Sequence, residues 1–149
     1  MLKGIDPLLN ADLLHVLRAM GHGDDIAVVD CNFPAASVAA ETVTGELIRL
    51  DAVDLPRAMR AILSVMPLDS FVDEPVRRME VMGKPDEILE AHRDVQAVMD
   101  ETEGGGWKMG SIERFAFYGE AKKAFAVVAT GERRPYACFL AKKGVIPAP

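Results

Sequence analysis

Positions 21–34 carry the sequence GHGDDIAVVDCNFP, and this stretch decides the fold class. Its apolar run at 26–29 is short, rich in β-branched residues and preceded and followed by acids, which predicts a buried strand rather than part of a helix. Asp30 comes directly after that strand. Ligands of open α/β sheets bind outside the carboxyl ends of the strands, so an ionisable group there is well placed for chemistry. We therefore predict a functional site built around this strand.

A helix is predicted immediately before this strand. Asn10 is a suitable N-cap, and Gly21 suits a left-handed C-terminal cap, which delivers His22 at a helix end. His15 lies off the apolar stripe of this helix and is assigned to the surface. The stripe itself consists of Leu13, Leu17 and Met20.

Further strands and helices alternate along the rest of the chain. Alternation predicts strands at 46–50, 76–82, 125–130 and 136–140. Helices are predicted after Asp54, with Pro56 in the first turn, then from Pro85 onward, and at 119–124. The acidic, glycine-rich piece at 100–106 is predicted to be a loop. This order predicts an α/β sandwich with a largely parallel sheet, in one domain over residues 1–149.

Composition narrows the classes of function. The chain has 149 residues, 50% of them hydrophobic and 27% charged, and a net charge of -6. Because the basic residues are scattered, neither nucleic acid nor an anionic membrane is expected as a partner. Cys31 and Cys138 are far apart and have no metal-ligand spacing, so neither a disulfide nor a zinc site is expected. No leader or long apolar run is found, and we expect a cytoplasmic protein.

Several motifs, in the same order as here, resemble the RbsD/FucU family, and its L-fucose mutarotase branch in particular. The resemblance spans almost the whole chain. Its segments are LKGIDPLL at 2–9, MGHGD at 20–24, DCNFPA at 30–35, RFAFY at 114–118, TGER at 130–133 and KKGV at 142–145.

The resemblance implies an RbsD-like three-layer sandwich and a sugar mutarotase without metal or cofactor. Such an enzyme exchanges the α and β pyranose anomers of L-fucose, or of a closely related monosaccharide, through the open-chain aldehyde. Ring opening requires a proton on the ring oxygen while the anomeric hydroxyl loses one, and a histidine can act as acid or base near neutral pH. Members of the family form ring-shaped homo-oligomers, typically decamers, in which a neighbouring subunit completes each sugar site.

The resemblance also implies roles for individual residues. His22 would be the general acid, Tyr118 a hydrogen-bonding or proton-relay group, and Asp69 a second acid/base candidate. Asp30 would bind or orient the sugar and could hold the imidazole in place. The remaining substrate-binding candidates are Arg114, Tyr136, Cys138 and Met79.

Each of these residues also has an ordinary structural interpretation. His22 could cap a helix, and Asp30 or Asp69 could form turns. Arg114 could belong to a surface salt bridge, and Tyr136 could pack in a half-buried strand. The third histidine, His92, would lie on the apolar face of its helix, as packed core histidines do, and is left out of the site.

Two departures from the family pattern and two rival functions stay open. Cys138 stands where the family usually has asparagine, and Ala36 where it often has histidine, which points to a changed sugar preference, a weaker enzyme or backbone contacts. The rivals are a D-ribose pyranase-type ring isomerase, against which Arg114 argues, and a catalytically silent monosaccharide-binding protein. A nucleotide-binding domain is rejected because the glycines flanking His22 precede the first strand instead of following it.

Overall fold

The computed structural model describes all residues, 1–149, and is built on one six-stranded sheet. Its spatial strand order is 2-5-1-6-3-4. The strands are β1 (Asp25–Val29), β2 (Leu47–Leu50), β3 (Val76–Met79), β4 (Met109–Ile112), β5 (Ala126–Thr130) and β6 (Phe139–Lys142). Five strands run in one direction, and only β6 is antiparallel to its neighbours β1 and β3. The prediction of a largely parallel sheet is confirmed.

Helices cover both faces of the sheet, which confirms the three-layer sandwich. The larger hydrophobic core lies between the sheet and α1 (Ala11–Ala19), α3 (Leu55–Leu63) and α4 (Glu90–Glu103). The smaller core lies under α2 (Ala35–Ala39) and α5 (Arg114–Lys122). None of the helices combines the length and the apolar character that a bilayer span requires.

The predicted starts of α1 and α3 are confirmed, as are the predicted exposure of His15 and burial of His92. The Asn10 side chain accepts a hydrogen bond from the backbone N–H of the third residue of α1, and Asp54 does the same for α3, each at 2.9 Å. Pro56 lies in the first turn of α3. His15 is exposed, and His92 is 1% exposed in the larger core.

The predicted left-handed cap at Gly21 is wrong. Helix α1 ends at Met20 in an extended conformation (φ -56°, ψ 138°), and the left-handed residue is Gly23 (φ 86°). The Asp24 carboxylate accepts the Gly21 N–H at 2.7 Å, which closes a turn after the helix instead of continuing its last turn. His22 therefore lies in a tight loop between α1 and β1.

Helix α4 differs from its prediction at both ends. It begins at Glu90 rather than at Pro85, whose carbonyl instead accepts a hydrogen bond from Arg78 at 2.8 Å. It also continues through positions 100–103, which were predicted as a loop, and Glu101 in this turn forms an ion pair with Arg60 of α3. Gly104, in the left-handed conformation (φ 86°), ends it.

The region around β4 and α5 was also predicted incorrectly. Strand β4 was not predicted, although it pairs in parallel with β3 along its whole length. Helix α5 begins at Arg114 rather than at 119, because the Glu113 carboxylate accepts the N–H groups of Phe115 and Ala116. The third strand stops at Met79, and the last strand lies at Phe139–Lys142 rather than at 136–140.

Candidate active site

The predicted site residues lie at two opposite edges of the sheet. His22 precedes β1 and Asp30 follows it. Because a strand rises about 3.3 Å per residue, the five residues of β1 separate the two ends of the strand by about 16 Å. One chain therefore cannot bring both residues to the same sugar ring, and each edge carries half of the predicted site.

The first half-site is a histidine held by a buried carboxylate. The Nε2 atom of His22 lies 3.0 Å from Oδ1 of Asp69, and the imidazole is 44% exposed whereas the Asp69 side chain is 4% exposed. The end of β6 brings the two loops together, because Lys143 O accepts the Gly23 N–H and Lys142 O accepts the Asp69 N–H. The suggestion that Asp30 holds this imidazole is thus wrong, and Asp69 does so.

The electrostatics of this half-site leave one imidazole nitrogen free. Burial raises the pKa of Asp69, but hydrogen bonds from the Phe71 N–H and from His22 outweigh burial and bring the pKa below its ordinary value of 3.8. The charged carboxylate accepts the Nε2 proton, so Nδ1 is the atom left to exchange a proton with a ligand. The Phe71 ring lies beside the imidazole, with ring centroids 5.2 Å apart.

The second half-site is a cleft of about 200 Å³ at the carboxyl edge of the sheet. It contains every predicted sugar-binding residue together with Tyr118. A larger cleft of about 440 Å³ adjoins it across Asp30 and Phe33. The smaller cleft is lined by Asp30, Asn32, Phe33, Met79, Arg114, Tyr118, Pro135, Tyr136 and Cys138.

Three of these lining residues were not predicted as site residues. Asn32 and Phe33 belong to the motif at 30–35 that carries the family resemblance, and this was the signal available for them. Pro135 lines the cleft beside its neighbour Tyr136. No feature of the sequence indicated a role for it in the site.

Asp30 is both a turn former and a wall of the cleft. Its Oδ1 accepts the N–H groups of Asn32 at 2.9 Å and Phe33 at 3.1 Å, while Oδ2 lies 3.4 Å from the Cys138 sulfur. Burial raises the pKa of Asp30 above its ordinary value, and these hydrogen bonds oppose that shift. Burial and the adjacent carboxylate raise the pKa of the Cys138 thiol, so the thiol keeps its proton and donates it toward Asp30.

Arg114 and Tyr118 form the polar side of the cleft. Arg114 Nε donates to the phenol oxygen of Tyr118 at 3.4 Å, and this hydrogen bond raises the pKa of the guanidinium. Because the phenol oxygen accepts from arginine, the phenol proton is free to donate to a ligand. The Tyr118 ring lies against Phe33, with centroids 5.4 Å apart.

An ion-pair cluster fixes the loop that carries Tyr136. Arg134 donates to Glu132 at 2.8 Å and to Asp94 of α4 at 2.7 Å. The hydrogen bond from Arg134 lowers the pKa of the buried Glu132 from 4.5 to about 2. The cluster ties the loop between β5 and β6 to α4, next to the cleft.

This cluster predicts a defined window of acid sensitivity. Between pH 4.5 and 2 the unfolded chain binds a proton at Glu132 that the folded protein excludes, so stability falls as the pH falls through this window. Glu132→Gln is expected to be less stable at neutral pH and to lose stability less steeply in that window, as measured by urea unfolding at each pH. Glu46→Gln, at an exposed glutamate on the surface, is the control and should retain the parental slope. An unchanged slope in Glu132→Gln contradicts the prediction.

Comparison with known proteins places this geometry in a family. The model of the RbsD / FucU transport protein family matches residues 3–146. The chain is 43% identical to the fucose mutarotase of Danio rerio over 152 residues, which cover 99% of this chain and 95% of the relative. The structure is similar to that of protein Atu2016, a candidate sugar-binding protein, with a TM-score of 0.96, 55% identity and coverage of 99% and 97% of the two chains.

A third similar protein is the fucose mutarotase of Streptococcus pneumoniae, whose crystal structure was solved in complex with L-fucose. The TM-score is 0.87 and the identity 38%, and the match covers 98% of this chain and 100% of that one. This chain belongs to the RbsD/FucU family, and the family resemblance of its motifs is confirmed.

Proposed function

We propose that this protein is an L-fucose mutarotase, an isomerase that exchanges the α and β pyranose anomers of L-fucose by acid/base ring opening. The observation that carries the proposal is the pairing of two features in a chain similar to fucose mutarotases. One feature is a cleft lined by hydroxyl-binding side chains, and the other is an exposed histidine held by a buried carboxylate. The ribose-type ring isomerase and the silent sugar-binding protein are not favoured.

The geometry supports the following proton transfers. Protonated His22 gives the Nδ1 proton to the ring oxygen as the bond from that oxygen to the anomeric carbon breaks. The anomeric hydroxyl loses its proton to the Asp30 carboxylate and becomes the aldehyde, while the phenol of Tyr118, which lines the same cleft, donates a hydrogen bond to the sugar. Rotation of the aldehyde, followed by the reverse transfers, closes the ring as the other anomer. Proton transfer by positioned groups of this kind contributes typically about 10²–10⁴-fold to a rate.

The other site residues bind the sugar or orient a group that transfers a proton. Asp69 already accepts a hydrogen bond from the imidazole, so we assign it to orient His22 rather than to contact the sugar. Arg114 and Tyr136 offer hydrogen bonds to the hydroxyls, and Met79 supplies an apolar wall. Cys138 acts through its contact with Asp30, which replaces the amide contact of the family's asparagine.

We further propose that the protein forms a ring-shaped homo-oligomer in which His22 and Asp69 of one subunit close the cleft of the next. The support is that the two half-sites lie at opposite edges of one sheet. Contact between unlike surfaces of identical subunits generates rings when the rotation closes. The resemblance sets the expected size at ten subunits.

Exposed apolar side chains flank both half-sites. Phe71 is 73% exposed beside His22, whereas Phe115 is 65% exposed and lies under the guanidinium of Arg114. Large exposed apolar residues grouped at a functional edge are typical of surfaces that another chain covers. These residues support contact between the two edges.

We also propose that residues 1–149 form one domain that acts in the cytoplasm. The sheet takes strands from both halves of the chain, which supports a single domain. Both cysteines are free thiols, as is usual in a reducing compartment.

The proposed activity is tested by proton NMR saturation transfer between the anomeric signals of L-fucose, with D-ribose as the comparison sugar. The protein is expected to accelerate exchange of the fucose anomers, and His22→Ala to reduce the acceleration by about 10²–10⁴-fold because the proton donor is lost. His15→Ala, at an exposed histidine away from both half-sites, should match the parent. Faster exchange of ribose alone, or of neither sugar, contradicts the proposal.

The proposed assembly is tested at Phe71. Phe71→Glu places a charge on the surface that we assign to the contact, so the variant is expected to sediment as a smaller species and to lose anomer exchange. The Phe71 side chain is largely exposed in one chain, so the thermal unfolding temperature of the isolated subunit should change little. Phe71→Leu keeps an apolar contact and serves as the control. A parent that sediments as a monomer with full activity contradicts the assembly.

A further inference from the structure

Tyr136 has the most unusual backbone conformation in the chain. Its φ of 60° is the only positive φ of any residue other than glycine. A residue with a Cβ atom is destabilised in this left-handed conformation, which persists only where neighbouring contacts enforce it. Such strain collects at ligand-binding positions, and Tyr136 lines the cleft.

The contact that holds this conformation comes from the buried His92. The Nε2 atom of His92 lies 3.0 Å from the carbonyl oxygen of Tyr136, and its Nδ1 lies 3.1 Å from the backbone nitrogen of Leu89. Since Nδ1 accepts the Leu89 N–H, the ring proton is on Nε2 and is donated to Tyr136. Burial lowers the pKa of His92, which keeps the ring in this neutral form.

The same peptide group is held on its other side by the cleft. The backbone N–H of Ala137 interacts with the Asp30 carboxylate. The peptide that joins Tyr136 to Ala137 thus has its carbonyl fixed by His92 and its N–H directed at Asp30. Two partners on one rigid peptide plane fix the direction in which the Tyr136 side chain leaves the backbone.

His92 itself has little freedom to move. It is 1% exposed in the first turn of α4, and its ring packs edge-on against Phe139 with centroids 5.9 Å apart. It is not among the residues that line the sugar cleft. Any effect on a bound sugar must therefore pass through Tyr136.

We propose that His92 is a positioning residue that sets the phenol of Tyr136 in the sugar cleft and thereby tunes sugar affinity. This inference rests on the proposed mutarotase function. It assigns the buried histidine a role in substrate binding that its place in the apolar core does not suggest.

The test compares His92→Leu with His92→Gln in the NMR exchange assay over a range of L-fucose concentrations. His92→Leu removes the donor, and KM is expected to rise roughly tenfold while kcat changes by less than about twofold. Glutamine places an N–H donor near the position of Nε2, so His92→Gln should restore KM to within about threefold of the parent. Val95→Ala, a buried substitution in the same helix, controls for general loss of stability and should leave KM unchanged.

A double-mutant cycle with Tyr136→Phe separates positioning from a merely structural role. If His92 acts through the phenol, His92→Leu adds little to the rise in KM that Tyr136→Phe causes. The inference is overturned if the KM of the double variant rises by the product of the two single increases. It is also overturned if His92→Leu has the same KM as the parent protein. A parent protein without anomer exchange overturns the proposed function instead, and fucose binding by the same variants then tests the role of His92.

Discussion

The length of β1 is the constraint on which the rest of this structure depends. The strand is buried and central, and it ends in Asp30 at one edge of the sheet and is preceded by the His22 loop at the other. No side chain spans the resulting separation of about 16 Å. Under the proposed assembly, proton transfer and sugar binding lie at opposite edges of one subunit, and catalysis is a property of two subunits in contact. Strand β6, which runs antiparallel through the middle of the sheet, has one end at each half-site.

The two edges of the sheet each carry a buried carboxylate, and the pKa values of these two carboxylates are shifted in opposite directions. Asp69 and Asp30 are similarly buried, yet hydrogen bonds bring the pKa of Asp69 below its ordinary value whereas burial dominates at Asp30 and raises it. Although both side chains are shielded from solvent, more protein surrounds Asp30 than Asp69, so desolvation outweighs the hydrogen bonds at Asp30. Asp69 also has the imidazole of His22 and the ammonium group of Lys142 to favour its charged form. Asp69 is suited to orient a proton donor. Asp30 is suited to accept a proton and a hydrogen bond from a sugar hydroxyl in the cleft.

Local signals in the sequence were sufficient for much of the fold, whereas the list of candidate site residues came from the family resemblance of the motifs. The apolar run of β1 and the side-chain caps at Asn10 and Asp54 depend on neighbours within a few residues, and they were predicted correctly. Strand β4 was missed because MGSI has no clear alternation and is stabilised by pairing with β3. The His22–Asp69 contact joins residues 47 positions apart through the register of β6, which local patterns do not encode. The proposed completion of the cleft by another subunit was implied only by the family resemblance, because no local pattern of one chain encodes a contact with a second.

Subunit mixing tests the shared site most directly. His22→Ala and Asp30→Asn are each expected to be inactive, but equal amounts co-assembled by refolding together should recover about one quarter of the parental exchange rate, because one contact in four then joins two intact half-sites. His22→Ala mixed with Asp69→Ala is the control, since both changes damage the same half-site and mixing restores nothing. Recovery near one quarter in the first mixture alone supports a site shared between subunits. No recovery in that mixture, while the parent protein is active after the same treatment, contradicts it.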